Sequence, residues 1–110
     1  MNTSFFSVLA EPNRLNIVEI LSNQPQSVNQ IVMKLHIRQP QVSKHLKILA
    51  DAGVVDVNPI ANKRIYALKP QAFKELDLWL KKYRVLWEDR FNALDKVLEK
   101  EKQKLKEERR

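Results

Sequence analysis

The 110-residue sequence contains no cysteine, one glycine (Gly53) and two histidines, His36 and His45. Without thiols, disulfides and thiolate-bound metals are excluded. A lone glycine makes no glycine-rich phosphate loop. No apolar run is long enough to span a bilayer. Met1 to Ala10 also lacks the basic stretch that opens a signal peptide. The expected setting is cytoplasmic, with no membrane partner. The long C-terminal segment holds no histidine, and Asp77, Glu88, Asp89 and Asp95 read as solvated carboxylates on a charged helix, so no metal or cofactor is expected. Ser43 and His45 face different directions on one helix, and no acid completes a nucleophilic arrangement. No catalytic residue is assigned, and the chain is read as no enzyme.

Apolar residues make up 44% and charged residues 30% of the chain, a globular balance for one domain. The formal net charge is +7. Its distribution is uneven: residues 34–69 carry seven basic side chains against Asp51 and Asp56, whereas residues 1–33 carry Arg14 against Glu11 and Glu19. Residues 70–110 carry twelve basic and nine acidic groups, a largely self-compensating surface. The middle third is basic because it lacks acids, which suits a polyanionic partner.

Prolines at 12, 25, 40, 59 and 70 punctuate segments of helical periodicity. A short helix spans 3–10. Glu11-Pro12 opens a second, whose Leu15, Ile17, Val18, Ile20 and Leu21 form a broad buried face. Residues 22–26 are a polar connection. Ser27 and Gln30 make a capping box that starts a third helix burying Val28, Ile31, Val32 and Leu35 and ending near His36. Pro40 lies in the first turn of a fourth helix, which runs to Ala52 and stops at Gly53, where a left-handed cap is wanted. Residues 54–57 and 64–68 are β-type runs around a longish polar tip, a hairpin. From Pro70 to about Glu108 nothing interrupts a helix.

Helix, short turn, helix and hairpin is the order of a winged helix-turn-helix. The predicted fold is mainly α with a small β-hairpin wing, α-α-α-α-β-β-α, with a long C-terminal dimerisation helix. Residues 1–69 form the DNA-binding core, with a recognition helix at about 39–52 and a wing at about 54–68. Residues 70–110 form the dimerisation helix and a frayed charged tail. On the recognition helix Val42, Leu46, Leu49 and Ala50 share one face. Pro40, Ser43, Lys44 and Lys47 lie opposite, with Gln39 and Gln41 beside them. Amides suit adenine, lysine suits guanine or phosphate, and no acid intervenes before Asp51. Asn62, Lys63 and Arg64 at the wing are placed for a minor groove or the flanking backbone. His45, beside Val42 and Leu49, reads as a packed, hydrogen-bonded side chain.

The stretches LAEPNRLNIVEIL, RQPQVSKHLKILADAGVV and NKRIYALKP resemble, in order, the second helix, the recognition helix and the wing end of ArsR/SmtB-type repressors. The resemblance covers residues 8–70. It implies a transcriptional repressor of inverted-repeat operator DNA, with autoregulation as a further implication. It also implies base or phosphate contacts from Gln39, Gln41, Ser43 and Lys44, and puts His45 at the family's common histidine. Two positions depart from the pattern. Arg38 replaces the usual serine cap but adds a phosphate contact, and Glu11 replaces aspartate as a poorer cap. The metal-sensing cysteine and histidine boxes are missing.

The long helix carries Trp79, Tyr83, Trp87 and Phe91 at helical spacing, read as a dimer core rather than as a pocket for an apolar effector. In the resembling family the first and last helices pair across a two-fold axis. That role fits Phe5, Phe6 and Leu9 together with Leu80, Tyr83, Trp87, Phe91 and Leu94, so the second expected partner is another copy of the chain. The residues name no small-molecule effector. Two alternatives stand beside the repressor reading. One is a protein-interaction module built on the aromatic helix, which would not need an acid-free face at Gln39, Ser43, Lys44 and Lys47. The other is a nonspecific nucleic-acid binder, which would need exposed aromatics in a segment that has only Tyr66.

Overall fold

The computed structural model describes residues 3–109. Its elements are α1 (Thr3–Leu9), α2 (Pro12–Asn23), β1 (Gln26–Ser27), α3 (Val28–Leu35), α4 (Gln39–Asp51), β2 (Val55–Ile60), β3 (Lys63–Leu68) and α5 (Pro70–Glu108). Two compact units result, one ending at Glu75 and one beginning at Leu76. The break falls inside α5 rather than at Pro70. The first turn of α5 stays with the first unit because the Phe73 ring meets Phe5 edge-on at 5.9 Å.

The core of the first unit gathers Phe5, Ile17, Val18, Leu21, Ile31, Val42, Leu46, Leu49, Val54, Val55 and Tyr66. On α2 the buried set is narrower than the broad face expected: Leu15 is exposed and Ile20 half-buried. At about 100° per residue, Leu15 points roughly 200° away from Ile17 and cannot share its face. On α3 Ile31 is fully buried, whereas Val28, Val32 and Leu35 are only half-buried.

Local chemistry sets the helix ends. Pro12 occupies the first turn of α2, and the Glu11 carboxylate accepts from the Arg14 backbone N–H at 2.9 Å. The glutamate therefore performs the capping role of the shorter aspartate. The capping box of α3 is complete: the Gln30 N–H donates to Ser27 Oγ at 3.3 Å, and the Ser27 N–H donates to Gln30 Oε1 at 2.8 Å. His36 closes α3 in the left-handed region at φ 58°, its N–H donating to the Val32 carbonyl. Gly53, at φ 77°, ends α4. Its N–H donates to the Ala50 carbonyl and the Val54 N–H to the Leu49 carbonyl, a Schellman closure.

The sheet has three strands, not two, in the order β1-β3-β2. The connection before α3 ends as β1, pairing Gln26 with Tyr66 and Ser27 with Ile65. Two residues are too few to show a period, so this strand leaves no pattern in the sequence. The hairpin tip is shorter than expected. β2 and β3 stay paired out to Ile60 and Lys63, leaving a two-residue loop, Ala61–Asn62. Pro59 is tolerated because β2 is an edge strand. In the second unit α5 runs on to Glu108, the end expected from the sequence. No glycine or proline breaks it, and opposite charges three apart, such as Glu101 and Lys104 at 3.8 Å, lie along its surface.

Candidate nucleic-acid interface

α4 is anchored by one face. Val42, Leu46 and Leu49 are completely buried, while Gln39, Gln41, Ser43, Lys44 and Lys47 are exposed. Its start is held by the backbone alone, because Arg38 makes no side-chain cap. The Arg38 carbonyl accepts from the N–H groups of Gln41 and Val42, and the exposed arginine stands at the mouth of the helix. Asp51, the one acid of α4, lies in its last turn, leaving the N-terminal two-thirds of the exposed face cationic or neutral.

The two glutamines separate. Gln39 joins Ser43 and Lys47 along a groove whose far wall is Val57, Arg64 and Tyr66 of the hairpin. Gln41 falls about 200° from Gln39 at 100° per residue, on the opposite flank. Gln39 also lines a second depression with Asn62, Lys63 and Arg64, completed by Ser27, Val28 and Asn29 at the start of α3. The wing residues and the head of α4 are thus neighbours. Asn29 is a polar residue of this rim that sequence reasoning passed over. Its place in the first turn after the Ser27 cap was the available signal.

Behind the exposed face lies a polar cluster. Arg14 donates from Nε to the Val8 carbonyl at 2.6 Å, and its Nη1 is 3.4 Å from His45 Nδ1. The Glu11 carboxylate is 3.8 Å from the same Nδ1. Nδ1 of His45 thus faces both a guanidinium and a carboxylate. His45 is therefore the packed, hydrogen-bonded side chain expected. Arg14, which sequence reasoning did not single out, is the residue that holds it.

Of the residues expected to pair two copies, Phe5 is a correction. It is buried inside the first unit between Phe6 and Phe73, so its ring is committed to this chain's own core. Phe6 is exposed and Leu9 half-buried. In the second unit Leu80, Tyr83, Trp87, Phe91 and Leu94 are all exposed. Trp87 stacks on Phe91 with centroids 5.6 Å apart, and Trp79 lies 4.9 Å from Tyr83, each pair four residues apart along the helix. Among the described residues no three histidine or carboxylate side chains gather as a metal site, and no helix is long and apolar enough to cross a membrane.

Residues 11–57 match the family described as bacterial regulatory protein, arsR family. The chain is 35% identical over 71 residues to the HTH-type transcriptional regulator Rv2034 of Mycobacterium tuberculosis, covering 64% of this chain and 66% of that one. It is 43% identical over 60 residues to the HTH-type transcriptional repressor SmtB of the same species, covering 54% of this chain and 44% of that one. The solved structure of an ArsR family transcriptional regulator, RHA00566, superposes with a TM-score of 0.68 at 27% identity, covering 78% of this chain and 94% of that one.

The chain belongs to the arsR family.

Its fold is the arsR-family winged helix-turn-helix: α3 and α4 are the paired helices, and β2–β3 is the wing. The family consists of transcriptional regulators. The chain spans 66% and 44% of the lengths of the two curated relatives above. The family match ends within β2 at residue 57, so the wing tip, β3 and all of α5 lie outside it.

Proposed function

We propose that this arsR-family chain is a sequence-specific DNA-binding transcriptional repressor. It acts in the cytoplasm as a homodimer on an inverted-repeat operator, and it catalyses no reaction. One observation carries the reading. The exposed surface of α4 presents Gln39, Gln41, Ser43, Lys44 and Lys47 with no acid before Asp51, while the core grips the same helix by Val42, Leu46 and Leu49. A helix held rigidly from behind and offering amides, a hydroxyl and ammonium groups in front suits the major groove, whose base edges display matching donors and acceptors. Arg38, Asn62, Lys63 and Arg64 flank it as phosphate or minor-groove contacts.

The exposed stripe Leu80, Tyr83, Trp87, Phe91 and Leu94 supports the dimer. A single module buries too little surface for tight specific binding, and a two-fold pair sets two reading helices one DNA turn apart, roughly 34–36 Å. The test is selection of duplexes by the full chain from a randomised pool, with sedimentation of the protein and the complex. An inverted repeat bound by two chains is the expected outcome. Enrichment of no sequence, or protection of the repeat by a single chain, would overturn the reading.

A further inference from the structure

We propose that Arg14 and His45 are positioning residues for the reading helix, coupling the C-terminal end of α1 to the pose of α4. This rests on the reading of α4 as the DNA-contacting helix.

Arg14 belongs to α2 but bonds outward in two directions. Nε donates to the Val8 carbonyl in the last turn of α1, and Nη1 meets His45 Nδ1 on α4. The last carbonyls of a helix have no partner within it, so α1 depends on such outside donors at this end. The guanidinium is a rigid planar fork. Its two contacts are therefore mutually oriented, and displacing α1 turns the fork that holds α4. Glu11 braces the arrangement from the α2 cap, its carboxylate taking the Arg14 N–H at 2.9 Å and standing 3.8 Å from His45.

The anchored flank of α4 is a functional one. His45 lies one turn after Gln41 on the same side of the helix, and residues four apart are surface neighbours. The opposite flank, with Gln39 and Ser43, borders the wing groove. The apolar contacts of Val42, Leu46 and Leu49 fix the depth of α4 but are non-directional. A directional bond at His45 fixes its rotation, and base-reading groups need placement to about 0.5 Å. An ammonium, a single point charge on a flexible stem, cannot reproduce the fork.

The experiment compares wild type, Arg14→Lys, His45→Leu and His45→Asn, the last retaining an oxygen acceptor near the position of Nδ1. The probes are a duplex selected by the wild type from a randomised pool and a scrambled duplex of equal length. Arg14→Lys and His45→Leu are expected to reduce the selected-to-scrambled affinity ratio about 5–30-fold. Scrambled-duplex affinity is expected to stay within about twofold, and His45→Asn to recover most of the ratio. A merely structural role would lower thermal stability and leave the ratio unchanged, and that result overturns the proposal.

A DNA-free arm tests the coupling itself. Leu9→Ala in α1 is expected to change amide exchange around Gln41 to His45 in the wild-type background but not in Arg14→Lys. An equal response in both backgrounds, or none in either, refutes the coupling. If the wild type selects no duplex, the reading of α4 and the positioning role fall together, while the exchange arm still decides whether α1 and α4 are coupled.

Discussion

Ala61 is an alanine in a conformation that alanine disfavours, and replacing it with glycine should stabilise the protein. It is the first residue of the two-residue loop between Ile60 and Lys63, with φ at 56°. For an L-residue with a Cβ the left-handed region costs about 1–2 kcal/mol. Glycine removes that cost but adds about 0.5–1 kcal/mol of unfolded-chain entropy. The net expectation for Ala61→Gly is a gain of about 0.5–1 kcal/mol, or a rise in Tm of about 2–4 °C for a chain of this size. Ala61→Asn should gain less, and Ala61→Val, whose branched Cβ crowds the same region, should lose about 1 kcal/mol or more. Thermal unfolding by circular dichroism at several protein concentrations separates this effect from any change in association. A glycine variant no more stable than wild type, together with a valine variant no less stable, would refute the strain argument.

Three further outcomes follow from the packing. Leu46→Ala removes a fully buried side chain that anchors α4 and should cost about 2–5 kcal/mol in urea unfolding, against less than about 0.5 kcal/mol for exposed Lys47→Ala. Ser27→Ala and Gln30→Ala should each cost about 1 kcal/mol, and the double variant clearly less than their sum, because the two side chains form one reciprocal cap. Trp87→Ala should weaken self-association by about 2–4 kcal/mol in sedimentation with little change in helix content, since its ring is exposed and touches Phe91 of its own helix.

Features written in short-range chemistry were legible from the residues alone. Ser27 and Gln30 three apart announced a capping box, and Gly53 announced a left-handed stop; both are present. The helix order, the wing and the exposed face of α4 followed from period and charge. What stayed hidden depends on partners distant in sequence. β1 is a strand because β3 lies beside it, not because of any pattern in Gln26–Ser27. Phe5 looked like interface until Phe73, contributed from the far end of the first unit, covered it. Arg14 meets His45 across 31 positions, a contact that exists only once α2 and α4 are packed. The length of α5, by contrast, was legible, because no glycine or proline interrupts a run of good helix formers before Glu108.

The central claim is that α4 reads sequence while the wing supplies electrostatic grip. It is tested most directly by measuring Lys44→Ala and Lys63→Ala against every single base-pair variant of the selected duplex, over a range of salt. Lys44→Ala should flatten the preference at particular positions, by about 1–3 kcal/mol where a bidentate contact is lost. Lys63→Ala should weaken all duplexes alike and reduce the salt slope by about one. A Lys44→Ala protein that keeps the wild-type base preferences intact would contradict the account.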